Sequence, residues 1–364
     1  MNAAVIGMLY GDEGKGIVTD YLCSQDHYKY VCRFSGGPQS GHTVYYDKDR
    51  YHIFSTFGSG SFRNCTTILD KNFMVDPISL SFESRLLNDS SIIISELCEV
   101  ITPYDVYNNS IDKTNLNNGS CGKGLYQTKH RNDNHYSLTV YDLMFPNIVK
   151  EKLKNISNYY NIKLEEDIFY RAVDYLLGHC LIYDEKEILS LNNIVFEGSQ
   201  GLLLDQNVGF FPNVTPSNTG LKNIQRPIEE VYLVSRCYQT RHGNGFLSYE
   251  NEKNINQYIG KYETNISNKF QKDFRISVLD LDMWIYALHK HNIDITKCNL
   301  VITHMDELFS IFKNNHYFFM YKNSEISYHN EKDFISNIID IIGKPKSILL
   351  SYSPYSENII KYEI

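Results

Sequence analysis

The sequence predicts an α/β fold, a large central and mostly parallel sheet flanked by helices, and three observations carry that prediction. Residues 3–9 form a short apolar run that ends in glycines, and residues 15–23 then read as a helix, the strand–turn–helix opening of an α/β domain. Strand-length apolar runs recur at 30–34, 67–76, 193–196, 229–238, 300–303 and, as the last strand, 347–351. Most of these runs end in Gly-rich or polar turns. Ligands of open α/β sheets bind at the carboxyl ends of the strands, so these turns are expected to converge on one site.

Apolar spacing predicts helix over most of 142–177 and over 280–289. Residues 108–134 are polar, contain glycine and have few apolar positions, which predicts a long surface loop. The 364 residues show no internal repeat or low-complexity linker, so one domain over 1–364 is expected. A net charge of −8 without a polybasic block argues against sequence-independent nucleic-acid binding. The eight cysteines form no C-x-x-C pair, which favours reduced thiols and a cytoplasmic setting. The first residues lack the basic region of a signal peptide, and no apolar stretch approaches the ~20 residues of a membrane helix, so no membrane partner is expected. Abundant Tyr, Asn and Ile fit a codon bias toward A and T better than a functional role for the tyrosines.

Four segments carry chemistry. The first is Gly11-Asp12-Glu13-Gly14-Lys15-Gly16. Glycines let backbone N–H groups approach a phosphate, the following helix adds its positive end, and Lys15 adds a point charge. The G-x-x-x-x-G-K-[ST] spacing is absent. A carboxylate beside bound phosphate is costly unless it binds a metal or moves a proton, so the acidic pair suggests acid–base work. Read alone, the hexapeptide also fits a tight turn with solvated charges. The second segment runs from Ser35 through Gly36, Gly37, Pro38, Gln39, Ser40 and Gly41 to His42 and Thr43. His42 there can transfer a proton or stabilise developing charge, or it can simply cap or pack. The third is Glu197-Gly198-Ser199-Gln200-Gly201 with Thr215-Pro216-Ser217-Asn218-Thr219, whose amides and hydroxyls can hold a base or a phosphate. The fourth is Thr303-His304-Met305-Asp306. Asp306 can accept two hydrogen bonds from guanine N1–H and its 2-amino group, or act as a helix N-cap.

Together these segments resemble the adenylosuccinate synthetases. The family's G-D-E-G-K-G loop stands unchanged at 11–16, its G-G-N-N-A-G-H-T is similar to 36–43, and its F-E-G-A-Q-G is similar to 196–201. Its Y-P-x-V-T-S-S-N-T resembles 211–219, its T-R-V-G-x-G resembles 240–245, its T-K-L-D resembles 303–306, and its S-x-G-P resembles 351–354.

The resemblance implies a P-loop-NTPase-like fold and a GTP-dependent carbon–nitrogen ligase that joins L-aspartate to C6 of a purine nucleoside monophosphate. It implies Asp12 as the base at purine N1, with His42, Lys15 and Gln200 completing the catalytic set. Gly11, Glu13, Gly14, Gly16, Gly41, Thr43, Asp306, Ser353 and Pro354 would bind the donor nucleotide. Mg²⁺ would sit near Asp12 and Gly41. The substrate set would be Gln39, Ser120, Cys121, Lys123, Arg131, Thr215, Arg241, Lys272 and Arg275. Arg131 would be the residue lent across a homodimer. Some positions depart from the family. Cys121 and Lys123 replace a threonine and an arginine, Gln39 replaces an asparagine, and the aspartate-binding stretch survives only as Lys272 and Arg275. Retention of Asp12 favours IMP, whereas the short chain and altered loops resemble phage enzymes acting on dGMP, which would place the protein in a host cytoplasm. An inactive nucleotide-binding paralogue is the third alternative.

Overall fold

Strand β1 (Ala3–Gly7) is buried at every position. Ala4 and Ile6 enter one core cluster and Ala3 and Val5 another, so both faces of the strand are covered, as in parallel sheets. The computed structural model describes residues 1–48, 50–87, 90–112, 121–250, 256–257, 260, 263–265, 273–312 and 316–363.

Nine further strands join β1: β2 (Tyr30–Arg33), β3 (Thr66–Leu69), β4 (Ile92–Ser95), β5 (Leu181–Tyr183), β6 (Ile194–Gly201), β7 (Glu230–Arg236), β8 (Asn299–Thr303), β9 (Ser347–Ser351) and β10 (Ile359–Tyr362). The ten-stranded order is β10-β9-β8-β7-β1-β6-β2-β3-β4-β5. Every neighbouring pair is parallel except β9 with β10. In the β1 register, Ala3 lies between Val195 of β6 and Glu230 of β7. The chain builds one half of the sheet out to β5, inserts β6 beside β1, and then crosses to build the other half. The sheet therefore reverses direction of growth at β1, and its C-terminal edge there is where a ligand cleft is expected.

Helix α1 (Lys15–Cys23) follows β1 as predicted. The predicted helical stretch over 142–177 is two main helices, Pro146–Tyr160 and Asp167–His179, separated where Asn161 adopts a left-handed φ of 52°. Leu281–Lys290 is helical with Asp280 as its N-cap, its side chain accepting from the Asp282 N–H at 3.0 Å. The strand at 347–351 is not the last: β10 folds back antiparallel on it. Among the described residues, no helix is long and apolar enough to cross a membrane, and all eight cysteines are free.

The expected surface loop at 108–134 is corrected. Pro103–Ile111 and Leu125–Asp133 are helices, and only part of the stretch between them is described. The polar composition hid a buried ion pair. Arg131 has no exposed surface, and its Nε donates to Asp105 Oδ1 at 2.8 Å while its remaining donors reach Asp105, Val100 O and Tyr136 O. This also corrects Arg131 as a residue lent to a second subunit, because its guanidinium is spent inside its own chain. Arg131→Ala leaves Asp105 without its cation in the interior. Its free energy of unfolding is expected to fall by roughly 3–5 kcal/mol, read by urea denaturation. A loss below about 1 kcal/mol would contradict this account of the two helices.

Candidate active site

The site begins where β1 ends. Gly14 starts α1 with φ 90°, a left-handed conformation natural to glycine, and a Cβ there would meet Thr303 Cγ2 at 3.1 Å. No side chain caps the helix, so its first N–H groups remain available to an anion. The acidic pair divides its roles. Glu13 is buried, and its carboxylate accepts the Leu9 N–H at 2.5 Å and faces Lys15 Nζ at 3.3 Å. Burial pushes the Glu13 carboxyl above the ordinary range, against the pull of Lys15. Its Oε2 also fills the space that any Cβ on Gly7 would need. Asp12 is instead about a quarter exposed. Its φ is 59°, and its carbonyl accepts Arg236 Nε at 2.6 Å. Glu13 O likewise accepts the Thr303 hydroxyl at 2.8 Å, so the ends of β7 and β8 hold the loop.

A second anchor lies under His42. Its Nδ1 is 2.7 Å from Glu197 Oε1. Ser59 donates to the same carboxylate through its hydroxyl at 2.5 Å and its backbone N–H at 3.1 Å, and Arg33 Nε lies 4.0 Å away. Burial pushes Glu197 up, but His42, Arg33 and Ser59 together bring it down to about 2. Burial in turn keeps His42 below the ordinary histidine range, against the attraction of Glu197. His42 therefore rests neutral, with its Nδ1–H on the carboxylate. Its Nε2 is buried without a hydrogen-bond partner among the described residues. The same holds for both amide atoms of Gln39 and for Gln200 Oε1. Buried polar atoms left unpaired at one site are costly and point to a ligand.

Asp12, Glu13, Lys15, Gln39, His42 and Gln200 line one cavity of about 1270 Å³ at the C-terminal edge of the sheet. That exceeds the roughly 300–1,000 Å³ of a pocket for one small ligand, so there is room for several. The cavity gathers Gly11, Asp12, Glu13, Gly14, Lys15, Gly16, Gln39, Gly41, His42, Thr43, Cys121, Lys123, Gln200, Thr215, Arg241, Asp306, Ser353 and Pro354. Arg131 and Arg275 do not line it. Arg275 is turned away onto Glu250 at 2.5 Å and Gly245 O at 3.0 Å. Ser120 and Lys272 lie outside the described residues. Arg241 reaches the cavity wall, yet its donors are spent on the carbonyls of Asn213, Asn244 and Phe246, with its guanidinium 4.3 Å over the Tyr10 ring. Asp306 sits on a short 3-10 turn after β8 whose N-cap is His304, so the N-cap alternative for Asp306 is set aside.

Sequence reasoning did not single out Glu197 as the partner of His42, nor Ser59, Arg236, Glu263 or His242. An acidic residue inside an otherwise apolar strand was the available signal for Glu197. The others come together only through the fold.

A mostly parallel α/β sheet with an uncapped glycine-loop helix and orphaned polar atoms around one large cleft defines an α/β protein with a site suited to an anionic ligand. Residues 4–315 match the adenylosuccinate synthetase family, and the chain belongs to that family. It is 32% identical over 282 residues to the adenylosuccinate synthetase of Histophilus somni, covering 68% of this chain and 65% of that protein's length. To the synthetase of Thermoplasma acidophilum it is 29% identical over 342 residues, covering 84% of this chain and 76% of the relative. Its fold is similar to that of the fully ligated adenylosuccinate synthetase of Plasmodium falciparum, with a TM-score of 0.79, 19% identity and 99% of both chains covered. It is also similar to the succinoaminodeoxyadenylate synthetase of cyanophage S-2L, a structure with dGMP and with dATP as energy donor, at a TM-score of 0.69 and 16% identity, covering 100% of this chain and 95% of that one.

Glu197→Gln is expected to lower kcat by about 10- to 100-fold, because a neutral amide orients His42 without stabilising its protonated form. Steady-state kinetics at saturating substrates reads this. The carboxylate is depressed in the fold, so its contribution to stability is complete above the ordinary range and is lost as pH falls toward about 2. The variant should lack that acid-sensitive component in pH-dependent thermal unfolding.

Proposed function

We propose that the chain joins L-aspartate to C6 of a purine nucleoside monophosphate, IMP, with GTP as phosphoryl donor. The observation that carries this reading is the convergence of Asp12, Lys15, His42 and Gln200 on one cleft, with Asp12 the more exposed acid of its loop. Asp12 takes the proton from purine N1. The 6-oxygen then attacks the γ-phosphorus of GTP, GDP leaves, and the aspartate amine displaces the 6-phosphoryl group as phosphate. Lys15 and the start of α1 bind donor phosphate, His42 Nε2 meets the charge that develops on transfer, and Gln200 holds the purine. A homodimer belongs to the same proposal.

Mg²⁺ fits the donor set. It prefers oxygen ligands, keeps several waters and commonly binds through one or two carboxylates plus substrate phosphates. The Asp12 carboxylate and the Gly41 carbonyl would hold it, and no group of three or more metal-ligating side chains gathers among the described residues to form a cage of its own. When bound, the ion would neutralise phosphate charge during transfer.

The purified protein is expected to release phosphate only when IMP, aspartate and GTP are all present, and Asp12→Ala should reduce that release at least about a hundredfold. No turnover with IMP, dGMP or GMP would overturn the ligase reading and leave a nucleotide-binding paralogue. The second reading is dGMP. It rests on the altered substrate-loop residues Cys121 and Lys123 and on the cyanophage enzyme whose fold the chain shares. Competition of IMP against dGMP, with products identified by mass, separates the two. The choice of GTP rests on Asp306. Asp306→Asn is expected to raise KM for GTP tenfold or more while leaving monophosphate affinity within about twofold, because an amide cannot accept both guanine donors. Equal loss for both ligands would count against the assignment.

A further inference from the structure

His242 stands where the family pattern T-R-V-G-x-G has valine. Its side chain is 13% exposed and packs on Phe274, with ring centroids 5.0 Å apart. Its Nε2 lies 3.4 Å from Asn265 Oδ1 and 3.7 Å from Asp12 Oδ2. Both neighbours are acceptors, which assigns the hydrogen to Nε2. Asn265 is itself held, donating to Glu263 Oε1 from its backbone N–H at 2.9 Å and its side-chain amide at 2.7 Å. Glu263 Oε2 accepts Arg236 Nη1 at 2.5 Å, and Arg236 Nε donates to the Asp12 carbonyl at 2.6 Å. The contacts thus return to the residue from which they start. Arg236 grips the backbone of Asp12, and His242 approaches its carboxylate.

We propose that His242 is a positioning residue for Asp12, sharing its Nε2–H between Asn265 and the Asp12 carboxylate so that the carboxylate faces the purine. The separation of 3.7 Å is beyond a hydrogen bond. Such contacts tighten when a ligand fills the site. A valine can pack on Phe274 but carries no donor. The inference rests on Asp12 meeting the purine N1–H, as proposed above, and it identifies a part of this chain's site that the family pattern lacks.

Two substitutions test it. A glutamine amide nitrogen reaches about as far as histidine Nε2, whereas an asparagine amide nitrogen stops near Nδ1. Affinities for IMP and for GTP are measured by calorimetry, which needs no turnover, alongside kcat, KM and melting temperature. His242→Asn is expected to weaken IMP binding and lower kcat by about tenfold or more, with GTP affinity within about twofold. His242→Gln should restore most of both. In an Asp12→Ala background, which removes the acceptor, the His242→Asn effect on IMP affinity should vanish. Equal behaviour of the Gln and Asn variants, or an undiminished effect without the Asp12 carboxylate, overturns the proposal. Should H242N fold poorly, H242Q and the family's valine, H242V, carry the same comparison. A wild-type protein that binds IMP without turnover defeats the ligase reading, while the double-mutant comparison still decides the role of His242.

Discussion

A single buried carboxylate organises this molecule. Glu13 closes the loop after the first strand by accepting the Leu9 N–H, and it holds Lys15 beside the start of α1. Burying an acid is costly unless its oxygens are satisfied, and here the satisfied partners are the loop's own backbone and its own cation. Gly7 leaves the space that this carboxylate fills. The loop is then fixed from outside by Arg236 and Thr303, at the ends of the two strands next in order across the sheet. A loop held this way from inside and outside has little conformational freedom left.

The same loop shows how environment separates two adjacent acids. Glu13 faces inward and serves structure, while Asp12 faces the cleft with its backbone pinned in a left-handed conformation. Such conformations persist at functional sites when the surroundings over-determine them. Across the cleft, His42 depends on Glu197 in the way a metal-ligating or catalytic histidine depends on the group behind its ring. Around Asp12 the corresponding support passes through Arg236, Glu263, Asn265 and His242, residues from three separated stretches of chain.

Much of the sheet was legible because buried parallel strands read as continuous apolar runs, as at 300–303 and 347–351. The helices at 103–111 and 125–133 were not, because their cohesion rests on Arg131 with Asp105, a charged pair that composition reads as surface. Arg241 was legible as a basic residue of the site. Its engagement with three carbonyls was not, since hydrogen-bond partners at such separations leave no local pattern.

By itself the sequence determined the class of fold, the glycine loop that opens the first helix and the set of strand-end turns that meet there, because each follows from local periodicity and from what glycine allows. Only the tertiary structure decided which acid of the Asp12–Glu13 pair faces the cleft, that Glu197 stands behind His42, and that His242 stands beside Asp12. These depend on which atoms remain unpaired once distant strands are brought together, and that is a property of packing, not of neighbours in the chain.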